Sequence, residues 1–457
     1  MNLYNFDPIN INEFIKTKYY EILDDEYRQD LKILSIIFPF KVNKYILEQL
    51  IDWDNWENDP IFKLVFPNRK MLNEIQFRQL SEAYLSNNKE LLKNTALKIW
   101  KQLNPHAEGQ LDLNVPVLNG QKLFGLQHQY QETVLAFPSR GQTCHAYCSF
   151  CFRWPQFIGQ KEFKISLNDT SLLLEYLKTK PLVTDILLTG GDPMVMSFKA
   201  FNEYLDPVLN SISNTNIQTI RIGTKSLTYH PFKFTTDKES DEFIKYFELI
   251  VSKGLNLSIM AHFNHPRELQ PEVLSKAIRR IRSTGAQVRT QAPLLKNIND
   301  DSKLWAEMWR KQVNLNMIPY YMFIARDTGA KQYFEVPLKR AWEIFRDAYR
   351  QVSGVCKTVR GPVMSSLPGK IQVLGVTEAE KNGQIVDAFV LRFIQARNPN
   401  WVNKPFLAKF NPNAYWINDL EPLYSNKFFF EEDLNKILTP AERLFNEELN
   451  IEINQIL

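Results

Sequence analysis

Gly141-Gln142-Thr143-Cys144-His145-Ala146-Tyr147-Cys148-Ser149-Phe150-Cys151-Phe152-Arg153 gathers three of the chain's four cysteines within eight residues, spaced C-x3-C-x2-C, while Cys356 lies far away. Such crowding points to a shared ion or cluster. A disulfide joins two thiols whose Cα atoms are roughly 4.4–6.8 Å apart, and three thiols so close cannot all pair. A structural zinc site takes four thiolate or imidazole ligands. His145 could complete a Cys3His set, although its place directly beside Cys144 makes that geometry awkward. An iron–sulfur cluster usually takes four thiolates, so a set of three leaves one iron open to a substrate or cofactor.

Outward from this loop the chain alternates. A short apolar strand over 133–138 runs straight into the cysteines, and strand-length apolar runs follow at 183–189, 217–222, 255–260, 286–291 and 317–323. Between them lie helical patterns. Over 239–252, for example, Phe243, Ile244, Phe247, Ile250 and Val251 share one face. Repeated βα units demand a parallel sheet with right-handed crossovers, closed or nearly closed into a barrel. The unusual residues all follow strands, where a (β/α) barrel carries its active site. Residues 1–105 read as a helical region, with apolar steps over 25–39 and 70–92, Trp53 and Trp56 in a loop, and no residue that carries chemistry. Beyond Ile371-Gln372-Val373-Leu374-Gly375 the pattern degrades into an aromatic, mixed tail that ends in a helix over 440–449. The fold class is therefore α/β: a partial (β/α)6-type barrel over 106–376, preceded by the helical region 1–105 and followed by an α+β extension, 377–457.

Bulk properties narrow the function. The 457 residues suffice for a large core, and 55 basic against 51 acidic residues, with no basic run, argue for no nucleic-acid partner. The start Met1-Asn2-Leu3-Tyr4-Asn5-Phe6-Asp7-Pro8 lacks the basic and apolar parts of a signal peptide, and no apolar run reaches membrane-spanning length. Four cysteines in so long a chain make no disulfide framework. The expectation is a reducing compartment, the cytoplasm, with no membrane partner.

The second strand ends in Thr189-Gly190-Gly191-Asp192-Pro193. Read alone this is a tight turn. Paired glycines also let backbone approach a ligand closely, while Asp192 and exposed amides offer polar contacts. The third strand ends in Arg221-Ile222-Gly223-Thr224-Lys225-Ser226, where the basic groups are either surface charges or partners for a carboxylate. The fourth runs into Ala261-His262-Phe263-Asn264-His265-Pro266-Arg267-Glu268, whose two histidines lack the nearby cysteine or fixed helix of a zinc site.

Together these motifs carry a resemblance. Cys144, Cys148 and Cys151, followed one βα unit later by Gly190-Gly191-Asp192-Pro193, resemble the signature of radical S-adenosylmethionine (SAM) enzymes. His262-Phe263-Asn264-His265-Pro266, Gln291 with Leu294-Leu295 and Asn299-Asp300, Pro319-Tyr320-Tyr321, Phe334 with Pro337, and Ser353-Gly354-Val355-Cys356 are similar to stretches of the lysine 2,3-aminomutase family, in unbroken order over roughly 105–376. The resemblance implies a [4Fe–4S] cluster on the three cysteines, and SAM bound by Gly190, Gly191, Asp192 and Pro193 with Arg221, His262 and Gln291 as further cofactor contacts. It also implies pyridoxal phosphate (PLP) on a lysine, an electron donor such as flavodoxin or ferredoxin, and a free amino acid as substrate whose nitrogen moves from C2 to C3. A homo-oligomer is compatible with this reading.

The PLP lysine is expected at Lys370, in Ser365-Ser366-Leu367-Pro368-Gly369-Lys370, a turn poorer in glycine than the family's. Otherwise it is a solvated turn lysine. Arg153 matches the arginine implied to pair with the substrate α-carboxylate, for which a guanidinium fork is suited; otherwise it is a surface ion pair. Gln129 and Thr133 stand where the lysine enzymes carry arginines implied to contact the PLP phosphate, and Arg140 is a candidate substitute. Where those enzymes hold the distal ammonium with two aspartates, this chain has Arg326, with Asp327 one residue on, and then Pro362-Val363-Met364. An arginine there repels an ammonium and attracts a carboxylate. The expected substrate is therefore not lysine but glutamate or another acidic or polar amino acid. The extra C-terminal cysteines of a structural zinc site are absent, and no zinc is expected. The alternative is a radical SAM enzyme of the same family that works without PLP or on a lysine within a protein.

Overall fold

The computed structural model describes residues 6–104, 114–158 and 165–438. The terminal helix expected over 440–449 and the boundary at 105 lie outside them. One eleven-stranded sheet carries the site. In chain order its strands are β1 (Leu126–Tyr130), β2 (Thr133–Ala136), β3 (Asp185–Leu188), β4 (Thr219–Thr224), β5 (Asn256–His262), β6 (Gln287–Leu294), β7 (Ile318–Ile324), β8 (Arg360–Ser365), β9 (Gly369–Lys381), β10 (Gln384–Ala396) and β11 (Pro405–Lys409). Strands β2 to β8 run parallel, each beside the next in sequence. β1 and β9 to β11 add on antiparallel at the two ends.

The sheet does not close into a barrel, because β1 and β11 are its two edges. It does curl. The Gln129 amide on β1 donates to the carbonyls of Ser366 (3.1 Å) and Leu367 (2.9 Å) in the β8–β9 turn, spanning the gap with side-chain bonds.

Alternation builds the two faces. Along β6, Val288, Thr290, Ala292 and Leu294 are buried against the crossover helices, while Gln287, Arg289, Gln291 and Pro293 are half-buried on the concave side. Thr290 donates to Gln312 on the helix Ser302–Asn314, which fixes that face as the outer one. The helix expected over 239–252 is Ser240–Ser252, with Phe243, Ile244, Phe247 and Ile250 buried.

All six expected strands are present, and the sequence reading stopped one parallel strand short, at β8. It also placed the C-terminal boundary at 376, which falls inside β9. β9 and β10 are 13 residues each and form one hairpin of the same sheet, turning at Asn382 and Gly383 with φ of 52° and 77°. Asn-Gly between strands is the usual signal for such a turn. The alternation past Gly375 was obscured because both faces emerge into solvent, leaving Glu378 and Glu380 on the strand.

The N-terminal region contains the helices Asp25–Leu34, Glu74–Leu85 and Lys89–Leu103, capped by Asp24, Asn73 and Asn88. Its core, with Phe14, Leu31, Leu64 and Phe66, is continuous with Ala146 of the cysteine loop and with Tyr229, Leu295 and Phe334 after the strands. It therefore covers the C-terminal end of the sheet. Among the described residues no helix is long and apolar enough to cross a membrane.

Candidate active site

The cysteine loop is held by its backbone. Tyr147 N donates to Lys41 O (2.9 Å) and Ser149 N to Leu64 O (2.9 Å). The Ser149 hydroxyl reaches Lys63 O (2.7 Å), and the Asn43 amide reaches His145 O (3.3 Å) and Tyr229 O (2.9 Å). Lys41 Nζ bonds the Thr143 hydroxyl and stands 4.4 Å from the Tyr147 ring. These N-terminal residues position the loop, which corrects the reading of residues 1–105 as a region without a part in the chemistry. No local pattern marks Lys41, since its partner lies 102 residues away.

Gly190 and Gly191 press onto the same loop. A Cβ on Gly191 would stand 2.3 Å from Thr143 O and 2.5 Å from its N, and one on Gly190 2.2 Å from the Gln142 amide nitrogen. Close approach of loop to loop thus requires glycine. Asp192 N bonds the carbonyls of Gly141 (3.0 Å) and Thr143 (2.7 Å). The buried Asp192 carboxylate accepts from Thr224 Oγ1 (2.7 Å), Lys225 N and Met194 N (both 2.9 Å). Asp192 and Pro193 therefore lock the end of β3 to the cysteine loop and to β4, and the Asp192 carboxylate is already engaged.

Cys144, Cys148 and Cys151 are free thiols. Burial raises all three pKa values, Cys151 to about 12, and neighbouring thiols add to the rise at Cys144 and Cys151. The protein alone does not sustain them as thiolates; a bound cation would. Among the described residues no three His, Cys, Asp or Glu side chains converge on a point that would hold one ion. A cluster asks its thiolates to surround a volume instead. His145 does not join them: its Nδ1 lies 3.1 Å from Ser226 Oγ, and its ring stacks on His230 at 5.0 Å. Cys356 is buried in the sheet's core, with Sγ 3.8 Å from Ser353 Oγ.

Beside the loop, His262 on β5 and Gln291 on β6 are register partners. His262 faces Phe150, ring centroids 5.8 Å apart, and burial holds its imidazole well below the usual pKa, hence neutral. These are open polar groups suited to a nucleoside or amino-acid moiety. His265 instead caps the following turn by accepting from Arg267 N (3.2 Å), and Arg267 pairs with Asp59. Lys225, the other rim cation, bonds Glu268 (2.9 Å) and Asn264 (2.9 Å).

Lys370 lies across the concave face. Its Nζ donates to Gln395 Oε1 (2.5 Å) on β10 and stands 4.3 Å from the Tyr130 ring and 5.8 Å from that of Tyr321. Burial, then Arg221, Arg360 and Arg326, push its pKa down from 10.5 to about 7. This is the environment of an amine that is a nucleophile at neutral pH, and it excludes a solvated turn lysine. Gln395, outside the expected core, is a site neighbour that the sequence did not reveal.

The expected arginines divide. Arg221 is paired with Asp185 (Nε–Oδ1 2.9 Å, Nη2–Oδ2 2.5 Å), and the Thr133 hydroxyl joins the same carboxylate at 3.1 Å. Arg140 makes a surface pair with Glu203 (2.5 Å), its side chain 57% exposed, so it does not reach the interior as a phosphate contact. Arg153 and Arg326 both lie over the Phe152 ring, at 5.0 and 4.7 Å. Arg326 donates to Ser365 O (3.1 Å), and Asp327 lies within its electrostatic reach. Arg153 is no surface ion pair: among the described residues it has no carboxylate partner, and burial with Arg326 nearby lowers its pKa to about 10. Arginines thus lie between the cysteine loop and a buried lysine whose pKa is lowered to about 7.

No family model matches the chain. It is similar to a putative L-lysine 2,3-aminomutase of Aquifex aeolicus, 30% identical over 411 residues that cover 90% of this chain and 95% of that one. The L-lysine 2,3-aminomutase of Methanococcus maripaludis is 25% identical, covering 77% of this chain and 67% of its own. That of Clostridium subterminale is 28% identical, covering 51% and 52%. Among solved structures, a radical SAM methyltransferase from Sphaerobacter thermophilus is 15% identical with a TM-score of 0.36, covering 53% of this chain and 69% of that one, a likeness too loose to argue from. The chain belongs to the lysine 2,3-aminomutase family of radical SAM enzymes.

Proposed function

We propose that the protein is a PLP-dependent radical SAM 2,3-aminomutase that moves the amino group of a free acidic amino acid, glutamate being the leading candidate, from C2 to C3. The observation that carries this reading is Lys370, a buried amine with its pKa near 7, on a concave face that also carries Arg153 and Arg326 over the Phe152 ring. Cys144, Cys148 and Cys151 would hold a [4Fe–4S] cluster, supplied with an electron by a flavodoxin or ferredoxin. SAM would sit against His262, Gln291 and the backbone of Gly190-Gly191-Asp192-Pro193. PLP would attach at Lys370. The cluster and SAM supply a carbon-centred radical, and PLP supplies a conjugated ring that carries the migrating nitrogen.

The chain's own residues orient and sort. Arg153 binds the substrate α-carboxylate beside the cysteine loop. Arg326 faces the distal end, where a guanidinium attracts a second carboxylate and repels an ammonium. Gln395 accepts from the Lys370 amine and holds it at the concave face. The covering N-terminal region keeps water from the reacting centre, as radical chemistry requires.

Anaerobically reconstituted protein titrated with PLP tests this directly. A near-ultraviolet band that forms with PLP and is lost in Lys370→Ala is expected. A spectrum that PLP leaves unchanged in the wild type overturns the reading in favour of a PLP-free enzyme.

A further inference from the structure

Two arginines on the concave face lack the partners that the other arginines find. Arg289 on β6 and Arg360 on β8 both lie over the Tyr320 ring, at 5.3 and 4.4 Å, and Arg360 is also 4.7 Å from the Tyr321 ring. Arg221, Arg267 and Arg280, also partly buried, each meet an aspartate. Among the described residues Arg289 has only the neutral Gln287 Oε1, at 2.8 and 3.2 Å, and Arg360 has no hydrogen-bond acceptor or carboxylate. Two like charges on one ring repel unless an anion lies between them. A guanidinium stacked on an aromatic face keeps its edge free for the bidentate recognition of phosphate.

The ring of Tyr321 joins this pair to the lysine. Lys370 Nζ and the Arg360 guanidinium both approach that ring, at 5.8 and 4.7 Å. The Tyr130 and Tyr321 hydroxyls are buried without a partner of good geometry. At the other candidate place the groups are bonded within the protein: Gln129 donates to the Ser366 and Leu367 carbonyls, Arg397 Nε donates to the same Leu367 carbonyl (2.9 Å), and Thr133 donates to Asp185. Arg221 is neutralised by Asp185.

Resting on the reading that Lys370 carries PLP, we infer that Arg360, backed by Arg289, seats the cofactor's phosphate monoester. The phosphate seat lies on β6 and β8, with the aromatic rings of β7 between them. Arg360 is a binding residue for the phosphate; its charge also helps lower the pKa of Lys370, an effect that PLP and pyridoxal share.

The test compares PLP with pyridoxal, which has the same aldehyde and no phosphate, titrated against the reconstituted protein while the absorbance of the lysine adduct is read. Wild type is expected to prefer PLP. Arg360→Gln weakens PLP by about 10- to 100-fold more than it weakens pyridoxal, the loss of a hydrogen-bonded charge contact; an adduct still formed with pyridoxal reports that the variant is folded. Arg289→Gln acts in the same direction more weakly, and Arg360→Lys restores part of the affinity. Inorganic phosphate competes with PLP in wild type and not in Arg360→Gln. Equal weakening of PLP and pyridoxal, or no change in either, overturns the phosphate seat while leaving Lys370 as the attachment point. A wild type that forms an adduct with neither overturns both.

Discussion

The two ends of the site are built on opposite plans. At the cysteine end the groups that hold the loop are bonded within the protein: Asp192 to Thr224 and Lys225, Lys225 to Glu268, Asn43 and Lys41 to the loop itself. At the lysine end the cations outnumber their partners, with Arg153, Arg289 and Arg360 facing no carboxylate among the described residues. The contrast teaches a division of labour. A cluster brings its own charge compensation and needs a rigid cradle, whereas an anionic cofactor and substrate need charges kept waiting, at a cost in stability that ligand binding offsets.

The largest break in this comparison is Cys148→Ala. It should reduce bound iron and sulfide, and SAM cleavage under dithionite, to background, while the fold survives because the loop is held by backbone contacts; retained cleavage would mean that the thiols do not hold the cluster. Lys370→Met should act oppositely on stability. Its folded pKa of about 7 lies below the unfolded 10.5, so between those values the unfolded chain binds more protons and stability rises with pH. Below about 7 the penalty for the buried charge is complete. Removing the amine should stabilise the PLP-free protein by about 2–4 kcal/mol near pH 7, measured by denaturant unfolding. Unchanged or lower stability would contradict the buried-charge account.

Arg326→Gln should lower turnover of an acidic substrate about 100-fold through kcat/KM, with a smaller effect on PLP binding. An equal loss of PLP would make Arg326 a cofactor residue instead. Gly191→Ala drives a methyl into the Thr143 backbone and should cost about 1–3 kcal/mol together with part of the cluster content, since neither loop can retreat. The smallest effect is expected from Arg140→Ala, within about 0.5 kcal/mol and without change in PLP affinity, because its ion pair is exposed.

These two plans also explain what could be read from sequence. The cysteine loop and the glycine turn are contiguous, so spacing alone exposes them, and the six strands show because their outer faces are continuously apolar. The lysine end is assembled from single residues on β1, β6, β7, β8, β9 and β10. Arg360 and Gln395 sit in strands whose mixed polarity hid them, and no short-range pattern ties Lys41 to Thr143. The arginines at 153 and 326 were legible only through family resemblance, and even then not their shared contact with Phe152. Arg140 was misread because sequence distance from the cysteines says nothing of which face a side chain takes.

The most direct test of the central claim is product analysis of the reconstituted protein with SAM, PLP and a reductant, offered L-glutamate and L-lysine at equal concentration. The account predicts β-glutamate, absent when SAM or PLP is omitted and in Lys370→Ala. Formation of β-lysine alone would contradict it.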